Sequence, residues 1–184
     1  MKNVVLFSLI FISNLSLAQK VIGGVVFPDK VSVGGSSLVL NGGGVREKYF
    51  MDLYSCGLYI KQKSSDANKI IDNSENMAIH IQIVSSLVTR EKFIETVNEG
   101  FSKASHGSVT ADQKSTFMGF FSDPFKKGDK IQLEYVSGTG LKVYKNGSYK
   151  GVIASSAFKK ALFSIWLGNN PASADLKNKM LGKG

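Results

Sequence analysis

Arg46 and Arg90 are the only arginines among 23 basic residues, and packing alone accounts poorly for Arg46. It follows Gly42-Gly43-Gly44-Val45 and precedes an apolar run that opens at Tyr49. A guanidinium presents a planar fork of donors that grips a carboxylate at two points, which a lysine ammonium does less well. Two readings stand side by side: a ligand for a carboxylate, or a charge at the exposed end of a strand. Other chemistry finds little support. His80 and His106 are far apart and fit no metal-ligand pattern, and His80 reads as a polar-face strand residue. Cys56 is the only cysteine, which excludes an internal disulfide and a Cys-based zinc site. Its neighbours Leu53, Tyr54, Leu58 and Ile60 make it a buried small hydrophobe. No Gly-x-Ser-x-Gly elbow exists. The glycine run lacks the Gly-Lys-Ser/Thr ending of a phosphate loop and reads as a bend or bulge in a strand. The sequence thus offers no catalytic set, no metal site and no call for a cofactor.

The elements that position these residues follow from periodicity and turn chemistry. Strands are predicted over 21–27, 31–33, 37–40 and 49–61, the last apolar at both parities and so covered on both faces. Ser64 or Ser65 caps a short helix through Ile71. A strand over 77–84 places Ile79, Ile81 and Ile83 on one face. Thr89 caps a helix carrying Phe93, Val97 and Phe101, and Thr110-Ala111-Asp112-Gln113 is a capping box before Phe117, Phe120 and Phe121. Strands over 131–135, 141–145 and 149–153 follow, with Asn146-Gly147 as a type I′ hairpin turn. Ser155 or Ser156 starts a helix with Phe158, Leu162 and Ile165 inward and Gly168 as its stop, and Ser173 caps a last helix over 174–181. Without regular βαβ alternation this order predicts an α+β fold, an antiparallel sheet with helices packed on it.

Residues 1–18 read as a cleavable signal peptide, with Lys2, an apolar run from Val4 to Ile12, and Ser16-Leu17-Ala18 before the cut. The run is too short to span a bilayer, which takes about 20 apolar residues. Residues 19–184 are then one exported domain, periplasmic or secreted. The formal charge of +9 suits an anionic ligand or an anionic membrane surface, and nucleic acid poorly, because no basic-aromatic motif appears.

Three stretches resemble the chalcone isomerase-like superfamily, in its short exported bacterial branch. They are Leu40–Arg46 with Tyr54–Tyr59, Arg90–Phe101, and Ala161–Gly168 with Ala174–Lys177. The resemblance implies an open-faced β-sandwich: a large antiparallel sheet, a helical layer over one face, and a ligand cleft between. In plant chalcone isomerases an arginine holds the substrate phenolate, and threonine, tyrosine, lysine and asparagine complete the cleft. Arg46 matches the arginine. The remaining positions fall on Tyr54, Phe93, Thr96, Gly100 and, late in the chain, Ile165, so only the arginine is kept. Phe93 has no hydroxyl and Gly100 no side-chain donor.

Fatty-acid-binding members fit better, since there an arginine and a tyrosine clamp a carboxylate. The resemblance therefore implies non-catalytic binding of a fatty acid or similar amphipathic carboxylate, with Arg46, Tyr54, Phe93, Thr96 and Ile165 lining the site. The alternatives are an isomerase or lyase with a different residue set, and an envelope interaction module whose cleft is filled by its own side chains. Geometry adds a condition. On one straight strand Arg46 and Tyr54 would stand about 26 Å apart, so a hairpin at Glu47-Lys48, or a bulge, must bring them together.

Overall fold

A computed structural model describes residues 19–184; the expected signal peptide lies outside the described residues. The chain opens with a small hairpin, β1 (Gln19–Ile22) and β2 (Val25–Pro28). Sequence reading takes this stretch as one strand. Gly23 and Gly24 instead turn it back on itself, both at positive φ, which glycine adopts without a Cβ penalty. The main sheet follows: β3 (Lys30–Val33), β4 (Ser36–Lys48), β5 (Met51–Ile60), β6 (Met77–Ile83), β7 (Lys130–Val136), β8 (Gly140–Lys145) and β9 (Ser148–Ile153). All seven are antiparallel and lie in chain order, so the sheet is a meander interrupted by helices. It curls until β3 nears β7, where the Asn76 side chain ties the Val33 carbonyl to the Ser137 amide.

The helices are α1 (Ala67–Asp72), α2 (Arg90–Ser102), α3 (Ala111–Gly119), α4 (Ser156–Leu167) and α5 (Ala174–Met180). Thr89, Ser155 and Ser173 cap as expected, and Thr110 with Gln113 forms the full capping box. The cap of α1 is Asp66, whose carboxylate accepts from the Lys69 amide; Ser64 and Ser65 stand two residues and one residue too early. Asn146 and Gly147 both take positive φ, as their turn requires.

Strand alternation divides the side chains between two faces. Ile79, Ile81, Ile131, Leu133 and Val143 point toward the helices and pack with Phe117, Phe121, Phe158, Leu162 and Trp166. The opposite face is covered over β4 and β5 by the β1–β2 hairpin, with Ile22, Phe27, Leu40 and Tyr59 in a second core. β5 is buried on both sides from Ser55 to Ile60, as its double-parity pattern predicts, while its first residues, Met51 and Asp52, are exposed. His80 falls on the face away from the helices, beside the Tyr59 ring. The fold is therefore the expected α+β open-faced sandwich.

Candidate functional site

Position 46 is set by the β4–β5 hairpin. Asn41 is the extra residue of a bulge in β4, where the register slips between Leu40 and Gly42. Its buried amide donates to the Ser64 and Met180 carbonyls, at 2.9 and 2.8 Å, and accepts from the Ser64 amide. The glycines that follow serve close approach. A Cβ on Gly42 would stand 2.2 Å from the Lys179 carbonyl of α5, and one on Gly43 2.5 Å from the Cys56 carbonyl. The run is thus a bulged strand pressed under a helix, not an anion loop.

Beyond it the strand continues to Lys48 and turns at Tyr49-Phe50, two residues past the expected turn. A second bulge makes Leu53 the extra residue of β5, so that Arg46 pairs directly with Tyr54. Residues so paired hold their Cβ atoms about 5 Å apart. Both lie on the helical face, in line with the Gly44–Cys56 pair beneath α5.

Arg46 is half-buried and donates from Nη1 to the Glu47 carbonyl. Among the described residues no carboxylate pairs with it. The Tyr54 hydroxyl accepts from Trp166 Nε1 at 3.1 Å, and its own proton has no acceptor among the described residues. Burial pushes this hydroxyl far above its ordinary pKa and Cys56 adds to the shift, while the Trp166 hydrogen bond and Arg46 pull the other way. Tyr54 accordingly keeps its proton and can offer it as a hydrogen-bond donor. The Cys56 thiol is likewise held protonated by burial.

The other expected site residues divide. Phe93 packs its ring on Phe121 and Phe125, with centroids 4.9 and 4.8 Å away. Ile165 is buried and fills the space against Gly100, where a Cβ would meet it at 2.7 Å. Gly100 is therefore what lets α2 close on α4. Thr96 faces solvent, its hydroxyl donates to the Lys92 carbonyl of its own helix, and no hydrogen bond joins it to the Arg46–Tyr54 pair. Trp166 is the partner that sequence reasoning missed. It is the chain's one tryptophan and follows Ile165, and that was the available signal.

Two surface depressions lie elsewhere. One of about 630 Å³ is lined by Asn41, Gly42, Lys63 and Lys179 among others, and one of about 250 Å³ by Gln62, Lys69 and Asn73 among others. Neither touches Arg46 or Tyr54.

A curled antiparallel sheet, a helical layer on one face and an arginine facing a tyrosine between them define an open-faced sandwich of one class. The sequence profile of the chalcone isomerase-like family matches residues 19–182, and the chain belongs to that family. Among solved structures it is similar to a fatty-acid binding protein of Arabidopsis thaliana. The two share 23% identity over 89% of this chain and 96% of that one, with a TM-score of 0.68. That likeness establishes the fold. No curated protein matches the chain by sequence.

Proposed function

We propose that this chain binds a fatty acid or similar amphipathic carboxylate without turning it over. Arg46 pairs with the carboxylate and Tyr54 donates a second hydrogen bond. One observation carries the reading: among the described residues, a half-buried guanidinium with no counter-charge faces a partly buried hydroxyl whose proton has no acceptor. A carboxylate supplies both missing partners at once. To bury its acyl chain the ligand must part the apolar layer that Phe93 and Ile165 fill, since neither surface depression reaches them. The fatty-acid binding neighbour of the same fold supports this reading. We place the activity outside the cytoplasm, after cleavage behind Ala18, because Lys2, a short apolar run and small residues before the cut have the pattern of a signal peptide.

A second reading has its own observation. The Trp166 indole donates to the Tyr54 hydroxyl and Phe93 packs edge-on and tilted against Phe121 and Phe125, so the protein's own side chains fill the layer. This arrangement suits an interaction module of the envelope. Native mass spectrometry of protein purified from its own cells separates the two. A bound fatty acid appears as added mass under the first reading, and a bare chain under the second.

A further inference from the structure

Three two-residue hairpins of the main sheet meet one geometric demand, and Gly34-Gly35 between β3 and β4 meets it with φ of 54° and 78°. Between β8 and β9, Asn146 and Gly147 take φ of 53° and 79°. Between β4 and β5, Tyr49 and Phe50 take φ of 51° and 63°. Asparagine and glycine enter this left-handed region readily, whereas for a bulky side chain it is strained. Packing gives little in return: Phe50 is 97% exposed, Tyr49 78% and Met51 43%, and the Lys48 ammonium stands 5.5 Å from the centre of the Tyr49 ring. Strain held with little folding benefit marks a segment shaped for contact.

The surroundings indicate the partner. Exposed Leu87 lies in the loop that leaves β6 beside the hairpin, where the Val84 amide donates to the Leu53 carbonyl. The loop before β7 is tied to the same end of the sheet. There the Gly128 amide donates to the Ile83 carbonyl, and the Ile83 amide to the Asp129 carbonyl. That end carries Lys48, Lys126, Lys127 and Lys130, and none of them forms an ion pair among the described residues. Glu47 and Asp52 are the nearest carboxylates on the hairpin, set opposite each other behind the tip. Exposed aromatic tips with basic residues around them suit the interface of an anionic bilayer, where aromatic rings settle at headgroup level.

We propose that this end of the sheet docks on an anionic lipid surface. The Tyr49-Phe50 tip enters the interface and the four lysines face the headgroups. Docking places Arg46, three residues before Tyr49, near the depth of lipid carboxylates, but it stands independently of the carboxylate reading.

The test is co-sedimentation of residues 19–184, which carry the whole described fold, with phosphatidylcholine vesicles containing or lacking phosphatidylglycerol. The wild type should bind the anionic vesicles and release with salt. Tyr49→Asn with Phe50→Gly installs the turn pair that the protein already uses between β8 and β9. It should lower vesicle affinity about tenfold or more, with no drop in melting temperature. Lys126→Gln with Lys127→Gln should weaken binding and flatten its salt dependence. Three results would each overturn the proposal: no binding of wild type to anionic vesicles, wild-type affinity in the turn variant, or a wild-type dimer that the turn variant dissolves in light scattering.

Discussion

Arg46 and Tyr54 are direct cross-strand partners, eight residues apart in sequence and one strand spacing apart in the sheet. The turn at Tyr49-Phe50 and the bulge at Leu53 together create the pairing. Without the bulge, position 46 would face Leu53 instead of Tyr54. The bulge is thus what aims the hydroxyl and the guanidinium to the same face.

Trp166 holds the hydroxyl in place. Trp166→Phe trims a buried ring and removes one donor, and the hydrogen bond's share of the loss in urea unfolding should be about 1 kcal/mol. Tyr54→Phe should cost a similar amount. The double variant should cost clearly less than the sum, because both changes delete one hydrogen bond. Strict additivity would show that the bond contributes nothing.

Gly100 sets the approach of α2 to α4. In an open helix Gly→Ala stabilises by up to about 1 kcal/mol. Here the added Cβ would stand 2.7 Å from Ile165, so Gly100→Ala should instead destabilise by about 1–3 kcal/mol. In an Ile165→Ala background the same change should be neutral or stabilising. Thermal denaturation of the four variants checks the sign reversal.

Lys159 is buried, and its ammonium donates to the carbonyls of Ile71 and Asn73 at 2.7 and 2.5 Å. Burial chiefly, with Lys160 adding, lowers its pKa from 10.5 to about 8, against an opposing pull from Asp72. Between those values the unfolded chain holds a proton that the folded chain has released. Stability contributed by this group therefore rises with pH across that window, and is flat below it. The stability gap between wild type and Lys159→Met should grow in favour of wild type from pH about 8 upward. A flat difference profile would rule out the shift.

Catalysis is expected to be absent. With Phe93, Thr96 and Gly100 at the positions that resemble the tyrosine, lysine and asparagine of chalcone isomerases, the pure protein should not cyclise a chalcone above the spontaneous rate. A stereoselective flavanone product in chiral chromatography would contradict this.

Much of the fold was legible because its signals are local. Thr89, Thr110, Ser155 and Ser173 announce their helices through side-chain caps, and Asn146-Gly147 announces its hairpin through positive φ. The double-parity apolar pattern of residues 49–61 announced a strand that is buried on both faces over its second half, Ser55 to Ile60. The β4–β5 turn was misplaced because Tyr49-Phe50 has no turn chemistry of its own; the sheet around it imposes the conformation. The first hairpin was read as one strand because Gly23-Gly24 sits among β-branched residues. At the site, Arg46 and Tyr54 were legible as an isolated arginine and a matched tyrosine. Trp166 was not, because its hydrogen bond spans 112 residues and depends on how α4 lies across the sheet. Thr96 was counted toward the site by its matched position, while its helix phase turns it to solvent.

The central claim is that Arg46 and Tyr54 hold a carboxylate, and titration of a fluorescent long-chain fatty acid against folded variants tests it most directly. Charge-assisted hydrogen bonds contribute roughly 1.5–3 kcal/mol each, so Arg46→Ala should weaken binding about 10–150-fold. Arg46→Lys should restore only part of the loss, since an ammonium lacks the planar two-point contact. Tyr54→Phe should cost on the order of 1 kcal/mol. Melting temperatures taken alongside separate binding from folding. Loss of affinity in an Arg46→Ala protein that melts like wild type is the predicted result. Unchanged affinity in that folded variant would contradict the carboxylate clamp.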